Sequence, residues 1–258
     1  MDQAALSEHA ARLRDLHRAD RPLLLPNVWD AASARLVEGA GFPVVATSSG
    51  AVAAALGYED ADSMPSVEAF AAVGRISRSV GIPVTGDMEA GYGLGAEDFV
   101  SQLLEAGAVG CNFEDTDHHG PGDYIGIDEQ AERIAALRRA SDGAGVSIVI
   151  NARVDIALRG DQFTTEGFDE AVSRAQSYLG AGADCVFPIN LSDEKHIGEF
   201  VQHVQAPVNI WLRPDAPSLA RLAELGVARV SMAGGLMRRA YGTLHEALTE
   251  LASTHLTG

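Results

Sequence analysis

Apolar positions along this chain come in blocks. Stretches such as Ala96–Ala106, Gln130–Ala140 and Phe168–Leu179 read as helical. Short apolar runs lie between them and do not alternate with polar residues, which suits strands buried on both faces of a parallel sheet. The junctions repeat. Glu38-Gly39-Ala40-Gly41 precedes Pro43–Thr47, Glu105-Ala106-Gly107-Ala108 precedes Gly110–Glu114, Gly180-Ala181-Gly182-Ala183 precedes Cys185–Pro188, and Leu225-Gly226-Val227 precedes Arg229–Ser231. A glycine there supplies the left-handed residue that ends a helix. Eight strands are predicted: Leu23–Leu25, Val44–Thr47, Val84–Asp87, Gly110–Glu114, Ile148–Val154, Cys185–Pro188, Val208–Leu212 and Arg229–Ser231. Eight strand–helix units without a dividing linker predict an α/β fold of the (β/α)8-barrel type, a single domain over residues 1–258. A Rossmann sheet is the competing fold, but no Gly-x-Gly-x-x-Gly follows the first strand.

Composition narrows the function. The chain has 258 residues, 47% of them hydrophobic, enough for a sizeable core. No apolar run reaches the roughly 20 residues that cross a bilayer, and Met1–Asp20 lacks the apolar core of a signal peptide. A cytoplasmic protein without membrane contact is expected. Cys111 and Cys185 both fall in apolar strands and read as packing thiols. A net charge of −17 argues against nucleic acid. Against that background an anionic ligand needs a local cation, either a metal or an arginine.

In a barrel, chemistry sits where strands end and βα loops begin. The third strand runs into Gly86-Asp87-Met88-Glu89-Ala90-Gly91-Tyr92-Gly93. On an extended backbone Asp87 and Glu89 share a face, and paired carboxylates suit a hard cation such as Mg2+. A solvated acidic loop is the plain alternative. Glu114 ends the fourth strand, and Thr47, Ser48 and Ser49 end the second, with Asp60 in the loop beyond. Arg153 on the fifth strand is either an ion-pair partner or a carboxylate clamp. Trp29 follows the first strand, as a pocket wall or a core residue, and Asn209 lies on the seventh.

Taken in order, Asn-x-Trp-Asp-Ala, Thr-Ser-Ser-Gly, Leu-Gly-Tyr-Glu-Asp, Asp-x-Glu-x-Gly-Tyr-Gly, Glu-Asp, Asn-Ala-Arg and Gly-Val-Ala-Arg-Val-Ser resemble the isocitrate lyase / phosphoenolpyruvate mutase superfamily over about Leu23 to Tyr241. The resemblance implies that Asp87 is the principal Mg2+ ligand (Mn2+ being the alternative ion). Glu89, where the family usually has Asp, helps to hold the metal. Glu114 supports it, and Asp60 lies near metal-bound water. It also implies that Arg153 neutralises the carboxylate or enolate of a small 2-oxo or 2-hydroxy acid, that Thr47, Ser48 and Ser49 bind the carboxylate, and that Asn209 is a polar partner. Family members pack as tetramers by exchanging the helix after strand eight, here Gly235–Ser253, with Leu236, Ala240, Leu244, Leu248 and Leu251 on one face. A homo-oligomer, dimer or tetramer, is therefore expected.

The departures matter as much. The loop Thr116–Ile127 carries neither the Lys-x-Cys-Gly-His motif of the lyases nor the Lys and Asn of phosphonate-handling members. His118 and His119 are the proton-transfer candidates there, and a mobile solvent-exposed loop is the plain alternative. Pro188-Ile189-Asn190 lacks the glutamate of the lyases and the histidine of the mutases. Schiff-base chemistry needs a lysine at the barrel mouth, and Lys195, the only lysine, lies beyond strand six at a helix start. What remains is a Mg2+-dependent C–C lyase or decarboxylase working through a pyruvate-like enolate, with two alternatives: a P–C bond mutase or hydrolase, and a 2-oxo acid binder without catalysis.

Overall fold

A computed structural model describes residues 1–118, 120, 124–156 and 164–255. The elements are α1 (Gln3–Leu16), β1 (Leu23–Leu25), β2 (Asn27–Val28), α2 (Ala31–Gly39), β3 (Val45–Thr47), α3 (Ser49–Leu56), α4 (Ser66–Ser77), β4 (Val84–Asp87), α5 (Ala96–Glu105) and β5 (Gly110–Glu114). They continue as α6 (Ile127–Gly143), β6 (Val149–Val154), α7 (Thr165–Gly180), β7 (Cys185–Pro188), α8 (Glu194–Val204), β8 (Asn209–Trp211), α9 (Leu219–Glu224), β9 (Arg229–Ser231) and α10 (Gly235–His255).

Among the described residues all pairings between named strands are parallel. They run β2-β3-β4-β5-β6-β7 in one set and β1-β9-β8 in the other. Pro26 separates β1 from β2, since a proline has no N–H for the ladder. The first barrel strand is thus continuous in space but split in pairing, one half to β9 and the other to β3. A parallel bridge between Val186 and Val208 joins β7 to β8 and closes the ring. The predicted eight-stranded barrel is the fold found, with strand ends within about one residue of those expected beyond the first strand.

The N-terminal helix is an addition to the sequence reading. Asp2 caps α1 by accepting from Ala5 N at 2.9 Å, and Leu6, Ala10 and Leu13 form its buried stripe. Arg14 donates to the carbonyls of Ser147 and Ile148 at 2.9 and 3.0 Å and to Asp184 Oδ1 at 2.8 Å. These lie just before β6 and β7, so α1 covers the N-terminal end of the barrel. Leu13 enters beneath β5, where a Cβ on Gly110 would come within 2.8 Å of Leu13 Cδ2. Glycine is required there by the approach of that leucine.

The opposite end is open, and β-strand carboxyl ends present polar side chains to it. Inside the barrel Asp87, Asn112 and Asn151 form one row across β4, β5 and β6. Asn112, Asn151, Asn209 and Arg229 are each no more than 7% exposed. α10 leaves the barrel after its first turn: Met237 is buried, but every residue from Arg238 to Thr254 is exposed, including Leu244, Leu248 and Leu251. Among the described residues no helix is long and apolar enough to cross a membrane.

His17 ends α1 with its ring 4% exposed. Nδ1 lies 2.7 Å from Leu13 O. Burial, with the nearby Arg229 charge, lowers its pKa to about 4. The folded chain therefore refuses a proton that the unfolded chain accepts at an ordinary pKa near 6.5. Stability from this residue is complete above about 6.5 and is lost as pH falls toward 4, by about 3 kcal/mol over the interval. Urea unfolding at pH 7 and pH 4.5 is expected to show a smaller acid loss for His17→Gln than for the unsubstituted chain. Equal losses would show that His17 titrates normally.

Candidate metal and substrate site

The site begins with Thr47-Ser48-Ser49-Gly50. Ser48 is extended and caps α3, so the chain turns at once from β3 into a helix whose first residues face β4. Ser49 then donates to Asp87 Oδ2 through its backbone N–H at 2.9 Å and its hydroxyl at 3.0 Å. Asn112 Nδ2 donates to the other oxygen, Oδ1, at 3.0 Å. Thr47 Oγ1 accepts from the Asp87 backbone N–H at 2.8 Å. Asp87 is thereby gripped on both carboxylate oxygens while lining a cavity of about 470 Å³. Ser48, Ser49, Asp60 and Arg153 line the same cavity. Asp60 lies against Gly50, where an added Cβ would meet its Oδ2 at 2.6 Å.

Glu89 is elsewhere. β4 ends at Asp87, and Glu89 has φ +48°, so the extended alternation expected to put both carboxylates on one face is broken. Its buried carboxylate accepts from Asp62 N and from Tyr92 Oη, the latter at 3.2 Å. His118 Nε2 is 4.0 Å from Glu89 Oε2 and hydrogen-bonds Glu114 Oε1. One ligand atom each from Asp62, Glu89 and His118 lies within 4.8 Å of the others, a set that could hold a cation. Asp62 was not singled out in the sequence. It has φ +54° in the loop two residues past Asp60, and only the fold brings it to Glu89.

Glu114 is 1% exposed, behind the cavity. Arg153 Nη2 reaches Glu114 Oε2 at 2.5 Å, while Arg153 Nε and Nη2 form a fork onto Asp155 at 2.7 and 2.8 Å. The arginine read as a carboxylate clamp is thus also an ion-pair partner of two internal carboxylates. Burial raises Glu89 to about 8 and Glu114 to about 7, the latter opposed by the Arg153 charge. Burial works against protonation of His118, but the hydrogen bond and charge of Glu114 prevail and raise its pKa. Arg153 is raised well above its ordinary value: burial opposes the charge, and Asp155 and Glu114 outweigh it.

The remaining expected residues fall around the site. Thr47 is 2% exposed and acts on Asp87 from below. Asn209 is fully buried and donates to Ser231 Oγ at 3.2 Å. Trp29 is not among the cavity's lining residues; it packs edge-on against Tyr241 of α10, with ring centroids 6.1 Å apart. His119 lies outside the described residues, as do residues 121–123 of the same loop. That loop is pinned at its base: Thr116 bridges to Tyr124, and Ile125 N donates to Asp115 O at 2.8 Å. The reading missed Asn112, Trp211 and Arg238, which line the cavity. Asn112 had a visible signal, two residues before Glu114 on the same strand. The two cysteines are fully buried, and burial pushes both thiols up to about 12, which makes them poor nucleophiles.

The chain matches the phosphoenolpyruvate phosphomutase family over residues 13–252. It is 28% identical to the 2-methylisocitrate lyase of Bacillus subtilis over 214 residues, covering 80% of this chain and 68% of that one. It is 30% identical to oxaloacetate decarboxylase 2 of Pseudomonas fluorescens over 227 residues, 84% of this chain and 74% of that one. The crystal structure of a Burkholderia cenocepacia J2315 protein assigned as a phosphonomutase superposes with a TM-score of 0.89 at 41% identity, covering 94% of this chain and 99% of that one. With an eight-stranded barrel, a carboxylate rim and this match over nearly the whole sequence, the chain belongs to the phosphoenolpyruvate phosphomutase family, within the isocitrate lyase / phosphoenolpyruvate mutase superfamily.

Proposed function

We propose that this chain is a divalent-cation-dependent lyase or decarboxylase that cleaves a C–C bond of a small 2-oxo or 2-hydroxy acid. The observation that carries the reading is Asp87, a carboxylate held on both oxygens by uncharged donors and turned into a cavity of about 470 Å³. That volume suits a small ligand. The donor set fits the ion: Asp87 and Asp60 offer the hard oxygens that Mg2+ or Mn2+ prefer. Glu89 lies apart from Asp87, with Asp62 and His118, in a second set that could hold a cation. A divalent cation at Asp87 supplies Lewis-acid stabilisation of negative charge developing on the substrate.

The chain's own residues do the rest. Ser48, the N-cap of α3, offers its hydroxyl to a substrate carboxylate, while Ser49 lines the cavity with both of its donors committed to Asp87. Arg153 presents positive charge to the cavity with its orientation fixed by Asp155. Glu114 hydrogen-bonds His118 and raises its pKa, while burial raises Glu114 itself to about 7; in this reading His118 is the acid that protonates the product. Phe187, Ile189, Trp211 and Met237 give the cavity apolar wall and limit access of water. A P–C bond reaction is the second reading, favoured by the 41% likeness to the assigned phosphonomutase. Binding without turnover is the third. We further propose one barrel domain working in the cytoplasm on a small anionic acid, without nucleic-acid or membrane partners. It would be a homo-oligomer, dimer or tetramer, in which α10 packs on a second copy.

A panel of 2-oxo and 2-hydroxy diacids with Mg2+, read by pyruvate formation, tests the reaction, and phosphate release from phosphonopyruvate marks the second reading. Asp87→Ala is expected to abolish both turnover and cation-dependent thermal stabilisation while the circular dichroism spectrum stays unchanged. Stabilisation by Mg2+ equal to that of the parent chain would remove Asp87 as ligand.

His118→Gln, alone and with His119→Gln, is expected to lower kcat by about 100-fold or more with KM little changed, and to remove the basic limb of the pH–rate profile. Turnover unaffected by the double substitution would exclude both histidines.

Light scattering at micromolar concentration is expected to give a dimer or tetramer. Leu244→Glu with Leu248→Glu is expected to shift it toward monomer. A monomeric parent chain would end the proposal that α10 is exchanged.

A further inference from the structure

Arg229 has no part in the proposed reaction, yet it is among the largest fully buried side chains, 1% exposed at the start of β9. Among the described residues no carboxylate pairs with it, and its Nε and Nη1 have no hydrogen-bond partner. A guanidinium withdrawn from water without an anion destabilises the fold. Burial accordingly lowers its pKa. Among the described residues its one side-chain hydrogen bond crosses the barrel, from Nη2 to Asn112 Oδ1 at 3.0 Å.

That bond has a direction. A guanidinium donates and never accepts, so Nη2 demands the oxygen end of the Asn112 amide. Asn151 Nδ2 donates to the same oxygen at 2.8 Å. The nitrogen end of Asn112 is left facing Asp87 Oδ1 at 3.0 Å. Asn151 by itself cannot enforce this. An amide offers a donor at one end and an acceptor at the other. Asn151 Oδ1 has no partner among the described residues, so the two amides could turn over together. Turned over, Asn112 would set its oxygen against the Asp87 carboxylate, which only accepts; the carboxylate opposes this from one side of the amide and Arg229 from the other.

We infer that Arg229 is a positioning residue for Asp87: by accepting nothing, its guanidinium locks the Asn112 amide with its N–H toward the carboxylate that faces the cavity. The inference rests on the reading of Asp87 as the ligand of a divalent cation. Groups that orient a ligand in this way typically change metal affinity by about 10- to 100-fold when removed.

The test uses the full chain, with Mn2+ affinity from electron paramagnetic resonance and melting temperature measured side by side. Arg229→Met is expected to bind Mn2+ at least roughly 10-fold more weakly while melting no lower than the parent chain, since an unpaired buried charge has gone. Arg229→Lys, which still only donates, is expected to recover most of the affinity. Should Arg229→Met not fold, Arg229→Gln takes its place: it keeps hydrogen bonding but also accepts, so the same fall is expected. Affinity within two-fold of the parent in Arg229→Met, or in Arg229→Gln where it takes that place, overturns the inference. So does a loss of affinity that follows a lowered melting temperature and is not restored by lysine. Asp87→Ala separates the two readings. Parent-like Mn2+ affinity there overturns the metal reading and this inference with it. Lost affinity there, with parent-like affinity in Arg229→Met, overturns this inference alone.

Discussion

Everything at the open end of the barrel depends on how the Asp87 carboxylate is held. Oδ2 accepts from the Ser49 N–H and hydroxyl, and Oδ1 accepts from the Asn112 amide. Each donor is uncharged. The carboxylate is therefore fixed in direction without being neutralised, which leaves its charge available to a ligand. Had an arginine gripped it, the same geometry would have made a closed ion pair. The grip also ties three elements together: Ser49 begins α3, Asp87 ends β4 and Asn112 sits in β5.

Behind Asp87 the protein solves a harder problem. Glu89, Glu114, Asp115 and Asp155 are all nearly or fully buried, in a chain whose net charge is already −17. Arginines divide them. Arg153 takes Glu114 and Asp155. Arg174, itself 5% exposed, takes Asp115 at 3.0 Å and reaches Glu170 at 2.8 Å. Tyr178 Oη donates to Asp115 Oδ2 at 2.6 Å as well. Burial still leaves a surplus of acid, raising Asp115 to about 6 as well as lifting the two glutamates. Breaking one member of such a network costs more than the pair contributes, because a buried charge is left without a partner. The buried carboxyl groups behind the cavity, Glu89 and Glu114, are consequently the ones raised to about 8 and about 7, a range in which proton transfer is useful.

The barrel was legible because its signal is local. Runs such as Leu23–Leu25 and Cys185–Pro188 are apolar on both faces, and glycines such as Gly107 and Gly182 take the positive φ that ends each helix. Asp87, Ser48, Ser49, Asp60 and Arg153 were legible for a related reason: a barrel places residues at strand ends around one mouth, so chain position alone predicts that they meet. α1 was not legible as a cover, since nothing in Met1–Asp20 says that Leu13 will lie under Gly110.

The sequence by itself therefore determined the eight strands, the rim on which polar residues gather and the family resemblance carried by their order. Tertiary structure decided which of those residues face the cavity. Glu89 turns away because its backbone is left-handed, not extended. Trp29 goes to Tyr241, and Arg153 is shared with Asp155. Asp62, 27 positions before Glu89, joins Glu89 and His118 only when β4 and β5 stand side by side. Arg229 shows the limit most plainly. One residue in a strand pattern, it acquires its role from Asn112, 117 positions away, and no local pattern encodes a hydrogen bond that spans the width of a closed barrel.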